Sequence, residues 1–421
     1  MPESRVVKFA ETVGDRQRPG DPAGPEAPLT PVRWIWLAAW PITAVFVLSN
    51  AATPLYVVWQ REIGFSSGTL TVVFAFYIVG LLASLLVSGV ASDRLGRKPV
   101  LLPALALGMV ACLIFATATT VPALIVARLL SGIAVGAVVS AGMAAVTDVG
   151  GRGRERLAAL LASCAMVFGA GLGPLLSGVL SEAAPAPTVT VFVVEMGLLA
   201  TAFLAVLRMP LRRPATAAKG AWVRIPAVPL GSRPQLVLGI AVFAPGITAT
   251  SFVLSLGPSL LTDLLGTTSR ITAGAMAFVM FLAATGVQFA VRHLRRHTIL
   301  VAGAVSIALG MVALVTAVRT SSVPVLITSA LLAGAGQGMG QLGGLSLLNS
   351  SVPPNQLAEA NAALNVGGYV PAGILPVSVG HLSDAVGLTT GTTVFATALT
   401  VFAVVGGLLV LSTGRREPRH G

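Results

Sequence analysis

The chain has 421 residues, of which 55% are hydrophobic and only 10% charged, and its formal net charge is +12. Soluble domains carry roughly 25% charged residues, so this composition excludes an ordinary soluble protein. The two cysteines, Cys112 and Cys164, both lie in apolar stretches. That placement argues against a disulfide framework or a metal site, and it predicts that both are small apolar fillers.

Residues 1–33 are rich in proline, glycine and charge, and we interpret them as a disordered cytoplasmic tail, not a cleaved signal peptide. Twelve apolar stretches follow between residues 34 and 412. Each is long enough to cross a bilayer, which needs roughly 20 residues per helix. Because lipid offers no partner for free peptide groups, these stretches must be helices. The predicted fold class is therefore an all-α polytopic membrane protein with twelve transmembrane helices.

The basic residues predict how these helices are oriented, since lysine and arginine accumulate in cytoplasmic loops. With both termini in the cytoplasm, that side receives 23 of the 27 lysines and arginines. The outside receives Arg61, Arg270 and Arg319, and Arg128 lies within a helix. The positive charge thus indicates topology in a plasma membrane, and no nucleic-acid partner is needed to explain it. The many alanines and arginines favour a bacterial inner membrane.

An internal repeat predicts that the helices form two similar halves. Shifting the chain by 202 residues aligns residues 121–136 with 323–338, with eight of sixteen positions identical. The same shift aligns Glu182 with Asp384. We therefore predict two pseudo-symmetric six-helix bundles. The predicted boundaries are an N-terminal bundle at 34–208, a cytoplasmic linker at 209–234, a C-terminal bundle at 235–412 and a cytoplasmic tail at 413–421.

Two similar bundles related by an axis along the membrane normal enclose a cleft between them. Rocking of the bundles exposes that cleft to one side of the membrane at a time. This is the geometry of a transporter, with a duplicated structural scaffold as the alternative.

The loop after the second helix carries the most specific motif of the chain, GVASDRLGRKP at residues 89–99. It resembles the signature of the major facilitator superfamily, G-x-x-x-D-R-x-G-R-[KR]. Together with the twelve helices and the repeat, this resemblance extends over residues 34 to 412. The matching positions are Gly89, Asp93, Arg94, Gly96, Arg97 and Lys98.

The resemblance implies that these six residues form a conformational latch, which holds the two halves together on the cytoplasmic side in the outward-facing state. Gly89 allows a neighbouring element close to the second helix, and Gly96 permits a tight turn. Asp93 can accept charge-assisted hydrogen bonds. The alternative is that the three basic residues only anchor the loop in the cytoplasm. The equivalent loop at 292–297 keeps the basic charge but lacks the Gly and Asp pattern, so we expect a latch in the first half alone.

Arg128 is an isolated charge within the fourth helix, where it costs at least ~2.5 kcal/mol unless it finds a partner, water or a route out. Its surroundings resemble the family's motif R-x-x-x-G-x-x-x-[GA], which implies a side chain that faces the cleft and handles protons or substrate. The equivalent residue in the repeat is Ala330, so symmetry does not require the arginine. The alternative is a side chain that snorkels to the outer surface, about 9 Å away at 1.5 Å per residue.

The fifth helix carries Gly169, Gly173, Pro174 and Gly178, which resemble the antiporter motif G-x-x-x-G-P-x-x-G-G of the same superfamily. Ser177 departs from it at a position where glycine is usual. Small residues permit close helix crossing, and the proline frees a backbone carbonyl. The motif favours export by antiport, with plain small-residue packing as the alternative.

Proton coupling needs a titratable group, and Glu195 is the carboxylate placed well inside a predicted helix. The alternative for Glu195 is a position at the outer surface. Asp148 ends the fourth helix above Arg152, Arg154 and Arg156, and its resemblance to an acidic and basic pairing in the family assigns it to gating, with an ordinary ion pair as the alternative.

Polar residues of the first helix, among them Asn50 and Tyr56, are candidates for the cleft. Buried amides can recognise a substrate or bond between helices, and both uses stay open. The first helix has no carboxylate, which argues against a preference for cationic drugs.

These features predict a secondary active transporter, a proton-coupled exporter of small organic molecules, including drugs, that works as a monomer. A symporter or uniporter for a sugar or other metabolite is the alternative. The sequence contains no G-x-x-x-x-G-K-[ST] segment, which argues against ATP-driven transport. We predict no catalytic site and no cofactor, and hence no enzyme.

Overall fold

The computed structural model describes residues 31–151, 153–211, 222–264, 266, 268–353 and 356–414. Within these residues it contains twelve helices that are long and apolar enough to cross a membrane, which confirms the predicted fold class. In chain order, α1 to α12 are Val32–Ile63, Ser67–Leu95, Lys98–Ala116, Val121–Gly150, Leu157–Ala183, Pro187–Arg208, Leu230–Asp263, Arg270–Val291, Arg296–Thr320, Val323–Ser351, Leu357–Val386 and Leu388–Thr413. Residues 1–30 of the predicted tail, 212–221 of the predicted linker and 415–421 lie outside the described residues.

Local sequence signals begin and interrupt several of these helices. Proline occupies the first turn of α3, α4, α6 and α10, where its missing N–H is not needed. Ser66 and Ser269 cap α2 and α8, because each side chain accepts a hydrogen bond from the backbone N–H three residues later. A short 3₁₀ turn at Thr53–Leu55, which contains Pro54, interrupts α1.

The two halves repeat the same packing plan. In the first half α1 packs on α4 and α5, α2 on α4, and α3 on α6. The equivalent contacts in the second half join α7 to α10 and α11, α8 to α10, and α9 to α12. The repeat seen in the sequence is therefore a repeat of helix contacts, and each half is a six-helix bundle.

Matching glycines explain how α4 and α10 approach their neighbours. A Cβ added to Gly132 or Gly136 would collide with backbone carbonyls of α2, and one added to Gly334 or Gly338 would collide with backbone carbonyls of α8. Small residues permit such close crossings in membranes, where van der Waals packing drives association. The glycines aligned by the repeat thus occupy equivalent packing positions.

We call the side on which α1 begins the inner side and the side on which it ends the outer side. The sequence predicts these to be the cytoplasm and the outside. Between the described parts of the two bundles, α2 packs on α11 and α5 on α8. Hydrogen bonds join their outer ends, from the Ser67 and Gly68 amides to Asp384 and from the Ile271 amide to Glu182. The bundles are therefore closed against each other at the outer side.

Candidate functional site

The predicted latch residues form a charged cluster at the inner end of α2. Gly96 adopts φ 96°, a backbone conformation that favours glycine, and the resulting turn places Arg97 before α3. Arg97 Nη1 donates to Asp93 Oδ1 at 2.8 Å and to Ser92 Oγ at 2.9 Å. Its Nε donates to Asp148 Oδ2 at 2.9 Å. One guanidinium thus connects the inner ends of α2 and α4.

The charges around Arg97 keep it ionised. Partial burial acts to lower the pKa of the guanidinium, but the hydrogen bonds that it donates to Asp148 and Asp93, together with the charges of these carboxylates, outweigh this and raise the pKa above its usual value. Both carboxylates are about half exposed, at 50% and 51% of the side chain. Both carboxylates of the cluster therefore stay in contact with water at the inner side.

The inner end of α2 also binds the described part of the linker. The Arg224 backbone N–H donates to the Leu86 carbonyl at 2.8 Å, and Arg224 Nη2 lies 3.9 Å from Asp93 Oδ2. The Arg94 guanidinium lies over the Trp222 ring, 4.6 Å from its centroid. A Cβ on Gly89 would lie 3.2 Å from Arg224 Nη1, so the neighbour that Gly89 admits in this structure is the linker.

Two other charged residues on the inner side have partners that the sequence did not indicate. Lys98 Nζ donates to the Leu207 carbonyl at 2.8 Å, near the end of α6, where a helix favours a positive charge. Asp148 pairs with Arg97, which the sequence did not indicate as its partner. Residue 152 and the side chain of residue 156 in the basic loop that follows α4 lie outside the described residues.

Arg128 is completely buried in the first bundle, at 0% exposure, so the alternative of a snorkelling side chain is wrong for this conformation. Its Nη1 donates to the Ser49 carbonyl at 2.8 Å, whereas Nε and Nη2 have no hydrogen-bond partner among the described residues. Four aromatic rings surround the guanidinium carbon at 5.1 to 5.8 Å: Tyr56, Phe74, Tyr77 and Phe115. Ring faces attract a cation, and this replaces part of the lost hydration.

This aromatic enclosure connects to the second bundle. Tyr77 lies on α2, which packs on α11 of the second bundle, and Tyr369 of α11 packs edge-on against Phe243 of α7. Two of the three tyrosines of the chain, Tyr56 and Tyr77, lie around Arg128. A movement of α11 against α2 would change the surroundings of the buried guanidinium.

The antiporter-like motif joins α5 to two different helices. A Cβ on Gly169 or Gly173 would collide with carbonyls of α1, and one on Gly178 would lie 2.5 Å from the Arg270 carbonyl of α8 in the other bundle. Pro174 has no N–H, so the Ala170 carbonyl loses its usual helical partner. Asn50 Nδ2 points to that carbonyl at 3.5 Å and lies 2.9 Å from Ser49 Oγ. Asn50 therefore links the proline bend to the residue whose carbonyl holds Arg128.

Glu195 is buried at 1% exposure, so the alternative of a position at the outer surface is wrong. Neither carboxylate oxygen has a hydrogen-bond partner among the residues that the structure describes, and Cys112 on α3 lies near the carboxyl group. Cys112 is buried as predicted, but Cys164 is exposed on α5, so the prediction that it is a filler was wrong.

Several residues of the site were missed from the sequence. Phe74 and Tyr77 stand three residues apart on α2, a spacing that places both on one helix face, and this could have marked them as partners of a buried cation. Ser49 acts through its backbone carbonyl, so its side chain gave no signal. Trp222 and Arg224 lie in the linker, and their partners depend on how that segment folds back.

The chain is similar in sequence to a family of membrane transporters and to parts of two known members. The model of the Major Facilitator Superfamily matches residues 35–376. The 3-(3-hydroxy-phenyl)propionate transporter of Escherichia coli K12 is 35% identical over 104 residues, which is 25% of this chain and 26% of that protein. Multidrug resistance protein MdtL of Klebsiella pneumoniae is 31% identical over 102 residues, 24% of this chain and 26% of that protein. The matched segments thus span about a quarter of these relatives.

Among solved structures, a bacterial homolog of the human lysosomal transporter Spinster in an inward-facing, unoccupied conformation has a TM-score of 0.72. It is 13% identical, and the match covers 93% of this chain and 98% of that one, which shows a shared fold. Because the family model covers most of the chain, the protein belongs to the major facilitator superfamily. It is a multi-pass membrane protein of a transporter family, as its sequence predicted.

Proposed function

We propose that this protein is a secondary active transporter that works by alternating access and exports small organic molecules, including drugs, in exchange for protons. The observation that carries the proposal is the closure of two duplicated bundles against each other at the outer side, through α2 with α11 and α5 with α8. Closure at the outer side is what alternating access requires of the inward-facing state. We further propose a monomer in the plasma membrane, with both termini in the cytoplasm.

Three features support coupled export. The Arg128 enclosure places a charge between α1, α2 and α4, close to the contact between the bundles. The motif of α5 places Pro174 inside the helix, where it removes one backbone hydrogen bond, and packs α5 on α8 through Gly178. The MdtL relative is named as a multidrug resistance protein. In this proposal, Asp93 and Asp148 act in gating at the inner side, and the buried Glu195 of α6 is the candidate for proton coupling.

Import by symport or uniport is the second candidate, and two observations favour it. The Escherichia coli relative is named as a transporter of 3-(3-hydroxy-phenyl)propionate, a carboxylate with an aromatic ring. A guanidinium with two unpaired nitrogens among four rings offers groups that such a molecule would bind.

The direction of proton movement distinguishes these candidates. Purified protein is reconstituted into vesicles that contain a pH-sensitive dye, without a pH gradient, and compounds are added outside. Antiport moves protons out as substrate enters, so the lumen becomes alkaline whichever way the protein is inserted. Symport acidifies the lumen and uniport leaves its pH unchanged. We expect alkalinisation by at least one drug-like compound, with protein-free vesicles as the control; acidification by every transported compound would contradict antiport.

The latch gives a second prediction. Asp93→Asn keeps the shape of the side chain but removes the charge that faces Arg97 and Arg224. Transport in the vesicle assay should fall by about tenfold, which corresponds to ~1.4 kcal/mol of lost stabilisation along the cycle. Glu155→Gln, an exposed carboxylate at the inner start of α5, makes the same charge change and should leave the rate unaltered. Equal rates for both variants would show that Asp93 is only an interfacial charge.

A further inference from the structure

Two carboxylates at the outer side each reach from one bundle to the start of a helix in the other. Asp384, two residues before the end of α11, places Oδ1 3.0 Å from the Ser67 amide and Oδ2 2.9 Å from the Gly68 amide, at the start of α2. A Cβ on Gly68 would lie 2.6 Å from Asp384 Oδ2, so the glycine leaves room for the carboxylate.

The second contact is the counterpart of the first. Glu182, one residue before the end of α5, accepts a hydrogen bond from the Ile271 amide at 3.0 Å, at the start of α8. The 202-residue shift of the repeat aligns Glu182 with Asp384, and each contacted helix is preceded by a serine cap, Ser66 or Ser269. Glu182 of the first bundle therefore binds the start of a helix in the second bundle, and Asp384 of the second bundle binds the start of a helix in the first.

The chemistry of these contacts favours the closed outer side. The first N–H groups of a helix have no partner within the helix, and the start of a helix attracts negative charge. Hydrogen bonds to an ionised carboxylate are stronger than those between neutral groups. When the bundles separate at the outer side, both carboxylates and the N–H groups exchange these partners for water. The contacts thus stabilise one state of the transporter and contribute nothing to the other.

We propose that Glu182 and Asp384 form a symmetric outer gate, which holds the outer side closed and must release at both points before that side opens. The inference rests on the proposed alternating access and extends it, because it names the charges that set the balance between the two states. Close packing between the bundles, one helical turn before each carboxylate, supports this gate. A Cβ on Gly178 would lie 2.5 Å from the Arg270 carbonyl, and one on Gly380 would lie 2.9 Å from the Ser67 carbonyl.

Both carboxylates are exposed, so each contact is individually modest. Glu182→Gln or Asp384→Asn should raise the ratio of outer-open to outer-closed protein by about threefold, and the double variant by about tenfold. The double variant Glu182→Ala with Asp384→Ala also removes the hydrogen-bond acceptors, and it should raise this ratio by at least the same factor. Glu62→Gln, an exposed carboxylate on the same side, is the matched control.

The ratio can be measured by electron-spin distance spectroscopy on detergent-solubilised, full-length protein. Labels at Thr119 and Thr320, which are exposed at the outer ends of α3 and α9, report the separation of the bundles. The exposed Cys164 is replaced by serine to prevent background labelling. Gly274→Ala serves as the open reference, a variant expected to favour the outer-open state. Its added Cβ would collide with the Pro174 carbonyl where α8 packs on α5.

We expect a longer outer distance in both double variants and in the open reference, and an unchanged distance in Glu62→Gln. If Gly274→Ala lengthens the outer distance but the double variants match the unaltered protein, the outer gate is overturned and alternating access is left intact. A distance that stays the same in every variant, including Gly274→Ala, would overturn the proposed function itself.

Discussion

Replacing Arg128 by alanine is expected to reduce substrate-dependent proton movement by about 100-fold, a cost of ~2.7 kcal/mol in the rate-limiting step. The reason is that this buried cation has four aromatic rings and one carbonyl as neighbours, and two of its nitrogens have no hydrogen-bond partner within the described part of the chain. A guanidinium held in this way has donors available for a substrate. The vesicle dye assay measures the effect.

The same variant separates a functional role from a structural one. Burying unsatisfied charged nitrogens is costly, so their removal offsets the lost packing and the lost hydrogen bond to Ser49. We therefore expect the thermal unfolding midpoint of Arg128→Ala to stay close to that of the unaltered protein. Arg128→Lys should also be inactive, because an ammonium is more strongly hydrated and lacks the planar fork. Arg319→Ala, an exposed arginine at the outer side, is the control. Full transport by Arg128→Ala would refute a role in coupling.

Gly274→Ala is expected to have the second large effect, a shift toward the outer-open state with loss of transport. The added Cβ would collide with the Pro174 carbonyl and lie 3.1 Å from Leu175 Cα, both on α5 of the other bundle. Overpacking of this kind costs about 1–3 kcal/mol, which corresponds to a change of roughly 5- to 150-fold in the balance of states.

A matched control exists on the same helix. Gly286 is also in α8, but a Cβ there would have no atom within 4 Å. Gly286→Ala makes the same chemical change and should transport at the normal rate. If both variants transport normally, close approach of α8 to α5 is not required for the cycle.

The architecture could be predicted because its cause is local. Each apolar stretch has to be a helix in lipid, whatever its neighbours are. The repeat was visible because Gly132 and Gly334, with Gly136 and Gly338, make the same close crossings in both bundles and permit no larger side chain. The resemblance at residues 89–99 identified the family without any knowledge of packing.

The partners of charged residues could not be predicted in this way, because they are set by contacts between distant segments. Asp148 has basic residues next to it in sequence, yet its partner Arg97 lies 51 residues away across the packing of α2 and α4. Arg128 was recognised as unusual, but its enclosure combines α1, α2 and α3 in three dimensions. The linker contact at Gly89 depends on a loop that folds back on α2.

Alternate opening of the two bundles to opposite sides can be tested with paired distances. One label pair at Thr119 and Thr320 reports the outer side, and a second pair at Glu155 and His293 reports the inner ends of α5 and α8. Both pairs are measured in the unaltered chain and in Gly274→Ala. We expect the outer distance to lengthen as the inner distance shortens. Two distances that stay fixed, or that lengthen together, would contradict alternate opening.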